Sequence, residues 1–209
     1  MHIAVYFGLA FVAYVLGSIP FGLILVRVLL GKDVRLTGSG NIGATNVARS
    51  GGAKLGVATL LLDALKGYFA VLLASLVSLR VAGIDLGLAA SLAALCAILG
   101  HVFPAWLRFR GGKGVATAVG AFVGLAPRAI LVVFAVFLVT VLISRYVSLG
   151  SIIASAVFPL LAFFLYRNQS SPAGLAVMLG ASLLIILKHK ANIRRLLDGT
   201  ENRLQFHKS

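Results

Sequence analysis

Seven apolar stretches, most of them long enough to cross a lipid bilayer, constrain this chain more than any other feature. They lie at 3–29, 54–79, 84–103, 114–126, 128–145, 149–166 and 173–190. A spanning helix takes about 20 mostly apolar residues, and inside lipid it must satisfy its backbone polar groups internally. The seven stretches leave no room for a separate soluble domain. The sequence therefore reads as one domain over 1–209, all-α and polytopic, with seven transmembrane helices. The fourth stretch, closed by Ala126-Pro127, is short. At about 1.5 Å per residue, about 13 residues do not cross a core of about 30 Å. That helix either begins in the Gly-rich segment before it or stops short of the far side.

The basic residues orient the helices. The chain carries 19 Lys and Arg against 5 Asp and Glu, a net charge of +14. In a soluble protein such a balance would suggest nucleic acid. In a chain that is 60% hydrophobic, the positive-inside rule and attraction to anionic lipid account for it, and no nucleic-acid partner is expected. Fifteen of the 19 fall on one set of loops: Arg27, Lys32, Arg35, Arg49, Lys54, Arg108, Arg110, Lys113, Arg145, Lys188, Lys190, Arg194, Arg195, Arg203 and Lys208. The opposite turns hold Arg80, Arg128 and Arg167, and Lys66 lies within the second stretch. This bias places the N-terminus outside and the C-terminus in the cytoplasm. No Lys or Arg precedes Arg27, and the first apolar run is too long for a signal peptide, so it reads as a retained helix. The single cysteine, Cys96, lies in an apolar run and reads as structural.

The outside turns are short and plain, whereas the cytoplasmic segments are rich in Gly, Asn, Ser, Thr and His. Chemistry is expected on the inner face, where soluble metabolites are available. The first such segment is Thr37-Gly-Ser-Gly-Asn-Ile-Gly-Ala-Thr-Asn46, followed by Arg49. Gly38, Gly40 and Gly43 allow backbone N–H groups to turn toward one anion. Ser39, Asn41, Thr45 and Asn46 add neutral polar groups, and Arg49 adds a forked cation suited to phosphate. These glycines also spell G-x-G-x-x-G, but a dinucleotide fingerprint must follow a strand, and here an apolar helix precedes it.

The second segment runs Gly100-His-Val-Phe-Pro-Ala-Trp-Leu-Arg-Phe-Arg-Gly-Gly-Lys-Gly114. Gly111, Gly112 and Gly114 surround Lys113 at a helix start, where free N–H groups and a point charge suit an anion. It is not a Walker A loop, because Gly114 stands where Ser or Thr would hold magnesium. Trp106, Phe109 and Arg110 read as interfacial anchors. His101 can be a base, a donor or a polar cap. The third segment, Lys188 to Asn202, places His189 and Asn192 three apart on one helix face, with Glu201 nearby. Its Lys190, Arg194 and Arg195 suit anionic lipid. Ser144, Arg145, Ser148 and Ser151 form a lesser polar cluster. Asp63 and Lys66, inside the second stretch, can bridge each other at i,i+3 or meet a ligand.

Together these residues carry a resemblance. GSGNIGATN at 38–46, GHVFPAWLRFRGGKGVAT at 100–117 and KHKANIRRLLDGTEN at 188–202 resemble the bacterial acyl-phosphate:glycerol-3-phosphate acyltransferase family, and the spacing of apolar spans fits as well. The resemblance implies seven transmembrane helices in the bacterial inner membrane, with three cytoplasmic motifs forming one site. It implies transfer of a fatty acyl group from acyl phosphate to the sn-1 hydroxyl of glycerol 3-phosphate, giving lysophosphatidic acid and phosphate. It implies neither metal nor cofactor, and it makes the enzyme that produces acyl phosphate a candidate partner. Carried over position by position, it marks Ser39, His101, His189, Asn192 and Glu201 as catalytic. It marks Asn41, Thr45, Asn46, Arg49, Lys113 and Ser151 as phosphate-binding, beside Gly38, Gly40, Gly43, Gly111, Gly112 and Gly114, which are read so from their backbone. The base is left open between His189, His101 and the donor's own phosphate. A second glycerolipid acyltransferase class places Asp five positions after His; here those positions are Trp106 and Arg194. An organophosphate transporter would also be polytopic and basic, but it would place polar groups at midplane or on both faces.

Overall fold

The computed structural model describes residues 2–167 and 171–204. Among these residues it is all-helical, with ten α-helices and no strand. Lys208 and the turn residues 168–170 lie outside the described residues. The chain divides into two compact units, Met1–Leu125 and Ala126–Ser209.

The first unit begins with a helix that does not run straight through its apolar stretch. α1 (His2–Gly17) stops before Pro20, which has no N–H to continue the ladder, and α2 (Phe21–Leu30) resumes after it. The span expected over 3–29 is present as one apolar segment, His2–Leu30, built from two helices with a break at Ser18–Pro20. α2 ends at Gly31, whose φ of +64° is a glycine conformation. A 3₁₀ turn over Val34–Leu36 follows, capped by the Asp33 carboxylate, which accepts from the Arg35 backbone N–H at 2.9 Å. The Arg35 side chain also donates to Asp33, and these hydrogen bonds hold its carboxyl down at about 2. Then come α3 (Ala44–Gly51), α4 (Ala53–Arg80), α5 (Leu86–Val102) and α6 (Val115–Leu125).

Small residues let these helices approach closely. One face of α5 is Ala89, Ala90, Ala93, Ala94 and Ala97, all buried. A Cβ on Gly17 would overlap the Ala97 carbonyl, and one on Gly100 would overlap the Tyr14 carbonyl, so α1 and α5 meet backbone to backbone. Gly67 lies against the Thr117 carbonyl and Gly120 against the Ala64 carbonyl, which joins α4 to α6 in the same way. Lipid provides no hydrophobic drive between helices, so such close van der Waals contact carries the packing.

The second unit holds α7 (Pro127–Ser144), α8 (Val147–Tyr166), α9 (Pro172–Lys188) and α10 (Lys190–Leu197). Arg145 takes a left-handed conformation, φ +61°, to turn α7 into α8. α9 and α10 meet at a bend of 53° at His189. Large apolar side chains stay exposed along the helices of both units, among them Phe7, Phe11, Leu131, Phe134, Ile143 and Phe164. In water such surface would aggregate; against acyl chains it is the expected outer face.

Five helical segments are long and apolar enough to span, and six if α9 and α10 count as one bent span. α6, with 11 residues, is too short by itself. The count of seven therefore does not follow from helix length alone, for the reason visible in the sequence: the fourth stretch has too few residues.

Candidate active site

The glycine-rich segment at 37–43 is a loop folded around one side chain. Asn46, in the first turn of α3, is buried, and its amide bonds the loop from within. Its Nδ2 donates to the carbonyls of Asn41 at 2.8 Å, Val34 at 3.0 Å and Thr37 at 3.1 Å, and its Oδ1 accepts from the Ser39 N–H at 2.9 Å. Gly38 and Gly40 have φ of +54° and +68°, so the loop needs glycine there. A Cβ on Gly38 would also strike Asn46 Oδ1. The Asn41 carboxamide accepts from the Gly43 N–H at 2.8 Å, forming a local turn just before α3. Asn46 and Asn41, expected to touch phosphate, use these groups to shape the loop. Ser39, Thr45 and Arg49 remain on the exposed side, with Thr45 and Arg49 one helical turn apart on α3.

The second glycine-rich segment lies in the same unit. Leu107 packs on the core formed by Leu23, Val26, Val34, Ile42 and Val47, which also underlies the first loop. Gly111 N–H donates to the Val102 carbonyl at 3.1 Å and Gly112 N–H to the His101 carbonyl at 3.0 Å. The chain thus doubles back along the end of α5. Gly112 is buried against the His101 ring, Lys113 is half-buried, and Gly114, φ +86°, leads into α6. Trp106, expected as an interfacial anchor, is half exposed, but its Nε1–H donates to the Ser18 carbonyl at 2.7 Å, at the break between α1 and α2. Tyr14 OH donates to the Phe103 carbonyl at 2.7 Å. The indole and phenol therefore pin the loop to that break. A sequence motif gives no sign of such a bond, because its acceptor is a backbone atom 88 residues away.

Asp63 and Lys66 are both buried and form an ion pair at 2.7 Å. Of the two readings open at the sequence level, bridging each other is the one realised.

In the second unit the polar groups gather on Glu201. Ser148 Oγ donates to its Oε1 at 2.9 Å, Asn192 Nδ2 to the same oxygen at 2.8 Å, and Arg195 Nε to Oε2 at 2.7 Å. Burial acts to raise the Glu201 carboxyl pKa, but the hydrogen bonds from Asn192, Arg195 and Ser148 outweigh it and leave it below the usual glutamate range. Through these bonds Glu201, expected as catalytic, fastens the segment after α10 to α8 and α10. Arg195, read from sequence as a lipid anchor, is half-buried and belongs to that tether. Ser148, assigned only to a lesser cluster, is its third member. Ser151 is buried one turn on, its hydroxyl donating to the Val147 carbonyl at 2.9 Å. His189 is buried at the bend, its Nδ1 2.8 Å from the Ile185 carbonyl. Donation from Nδ1 leaves Nε2 as the ring's acceptor. Asn192 lies three residues on, in α10.

The described residues contain no group of three His, Cys, Asp or Glu arranged to hold a metal ion.

The family model described as glycerol-3-phosphate acyltransferase matches residues 7–199. The chain is 49% identical over 194 residues to the glycerol-3-phosphate acyltransferase of Syntrophotalea carbinolica, covering 92% of this chain and 94% of that one. It is 51% identical over 193 residues to that of Sinorhizobium fredii, covering 91% and 88%. Among solved structures it is similar to PlsY (YgiH), an integral membrane glycerol 3-phosphate acyltransferase, in its glycerol 3-phosphate form. That match has a TM-score of 0.85 and 40% identity, and covers 96% of each chain. The lysophosphatidic acid form of the same enzyme matches with a TM-score of 0.82 and 38% identity, over 96% of this chain and 95% of that one. This chain belongs to the integral membrane glycerol-3-phosphate acyltransferase family.

Proposed function

We propose that this chain, acting as one enzyme domain, moves a fatty acyl group from acyl phosphate to the sn-1 hydroxyl of glycerol 3-phosphate, releasing phosphate and forming lysophosphatidic acid. The observation that carries the reading is the likeness over nearly the whole chain to an enzyme solved with glycerol 3-phosphate and with lysophosphatidic acid. The geometry is consistent with it. Both proposed substrates carry phosphate, and the first unit presents two glycine-rich segments, one with Ser39, Thr45 and Arg49 exposed and one with Lys113 ahead of a helix. The N–H groups of Ser39, Gly40, Gly43, Gly111 and Gly112 are bonded within the chain, so the cations Arg49 and Lys113 and the hydroxyls of Ser39 and Thr45 are what favour phosphate there. Acyl phosphate already has a good leaving group, so holding the two substrates together and stabilising the departing phosphate can supply much of the rate.

In this reading His189, His101 or the donor's own phosphate serves as the base, Asn192 holds substrate, Ser151 helps to bind phosphate, and Asn46 and Glu201 act by keeping other groups in place. The protein spans the bacterial inner membrane seven times with its motifs on the cytoplasmic side, and it takes its donor from the enzyme that makes acyl phosphate.

The test is purified protein incubated with radiolabelled glycerol 3-phosphate and either palmitoyl phosphate or palmitoyl-coenzyme A. Lysophosphatidic acid is expected from the first donor and little from the second. Equal rates with both would overturn the donor assignment, and no product with either would overturn the activity.

A further inference from the structure

The buried pair Asp63–Lys66 does not stand alone. Asp63 Oδ1 lies 2.7 Å from Lys66 Nζ and 3.6 Å from Nδ1 of His101. All three side chains are at least 95% buried. Lys66 Nζ also donates to the Ile19 carbonyl at 2.8 Å, and it lies 5.7 Å from the centre of the Phe21 ring. Ile19 precedes Pro20 at the break between α1 and α2, where the missing proline N–H interrupts the helical ladder. Lysine therefore ties the carboxylate to the break, and the carboxylate faces the histidine.

The opposite nitrogen of that histidine faces the glycine-rich segment. A Cβ on Gly112 would strike His101 Nε2, and one on Gly111 would strike the His101 carbonyl. The two glycines are thus moulded on His101, with Gly112 N–H bonded to its carbonyl at 3.0 Å and Lys113 next in the chain. A ring held only by packing could rotate by half a turn, which would put Cδ2 where Nδ1 lies and Cε1 where Nε2 lies. A buried carboxylate beside Nδ1 opposes that, because in a low dielectric the ring N–H is strongly favoured on the side of the negative charge.

We infer that Asp63 is a positioning residue: anchored by Lys66, its carboxylate fixes the His101 ring with Nδ1 toward itself and Nε2 against Gly112, and so sets the course of the Gly111–Gly114 segment that carries Lys113. The inference rests on the proposed role of that segment in phosphate binding. Asp63 touches no substrate in it and acts through His101.

The test uses the full chain in lipid nanodiscs with Asp63→Asn, His101→Gln and the double variant. Asp63→Asn leaves Lys66 without its counter-charge. Asp63→Asn combined with Lys66→Met removes both charges and guards against a failure to fold, since exchanging a buried pair for neutral groups is commonly tolerated. Hydrogen exchange over residues 108–116 and steady-state kinetics are read for each. Asp63→Asn, with or without Lys66→Met, should speed exchange over 108–116 while exchange in α8 is unchanged. It should lower kcat/KM by about 10–100-fold, the scale of loss known for residues that orient metal-binding histidines. The double variant with His101→Gln should be no worse than His101→Gln alone, because both act through one ring. Unchanged exchange over 108–116, or losses that multiply in the double variant, would overturn the inference. A wild-type protein that makes no lysophosphatidic acid would overturn the proposed activity, and the exchange measurement would still decide the role of Asp63.

Discussion

At the scale of single residues, side chains of one type do different work according to where they point. Asn41 and Asn46 face the loop they belong to, while Arg49, one turn from Thr45, faces out. Lys113 is where this distinction is most testable. Replacing it with alanine removes the charge and keeps the glycine backbone, so the protein should fold and lose about 10²–10³ in rate, the usual effect of losing a stabiliser of developing negative charge. Lys113→Arg should fail too, because a planar fork does not replace a compact ammonium among close-packed glycines. If Lys113 served only to orient the helix in the membrane, the arginine variant would keep full activity, since orientation depends on charge alone. Rates at matched membrane abundance separate the two. The glycines allow a second comparison. Gly112→Ala drives a methyl group into the His101 ring and should cost about 1–3 kcal/mol by overpacking, together with most activity. Gly180→Ala, inside α9 where a Cβ meets nothing within 4 Å, should keep full activity and lose no stability. Thermal unfolding and turnover of the two variants check this.

At the scale of elements, helix positions were largely legible in the sequence because lipid demands long apolar runs. Breaks and tethers were not. Pro20 lies inside a run apolar enough to read as one span, and only the structure shows two helices meeting at Ser18–Pro20. The motif residues were visible as polar groups at loops, but a motif does not tell which atoms turn inward. Glu201 shows this most clearly: Asn192 and Arg195 are three apart on α10, but no spacing links either of them to Ser148 or to Glu201 itself. Its carboxylate titrates below the ordinary value, so its contribution to stability is present above the unfolded value of about 4.3. That contribution is lost as pH falls through the lower folded value. The thermal midpoint of the wild type should therefore fall in acid below about pH 4.3, and Glu201→Gln should lack that part of the fall. At neutral pH the same variant should lose about 1–3 kcal/mol, because its amide cannot accept from Ser148, Asn192 and Arg195 together. Unfolding curves of both proteins across that range are the check. Equal curves would reduce Glu201 to a bystander.

At the scale of the whole molecule, the number of membrane crossings turns on α6. Its 11 residues rise about 16 Å, about half of a typical hydrocarbon core. The preceding residues, Gly111 to Gly114, are not helical, and extended chain gains about 3.3 Å per residue, so the segment from Arg110 to Pro127 has the reach to cross even though the helix alone does not. Its small residues also let it lie against α4 rather than lipid, as Gly67 and Gly120 show, and irregular backbone at membrane depth is tolerated only where protein covers it. The proposed topology requires this crossing, since the turn at Ala126-Pro127-Arg128 holds one basic residue and the segment before Gly114 holds three. Cysteine substituted at Arg110 should be labelled only from the cytoplasmic side, and cysteine at Pro127 only from outside, in a chain whose Cys96 has been replaced. Labels at Arg49 and Arg195 should match that at Arg110, and a label at Gly83 should match that at Pro127. Labelling of Pro127 from the cytoplasm would make α6 re-entrant, remove one crossing and reverse the side assigned to the Arg145 loop. Labelling of Arg110 from outside would separate Lys113 from cytoplasmic glycerol 3-phosphate and overturn the proposed site.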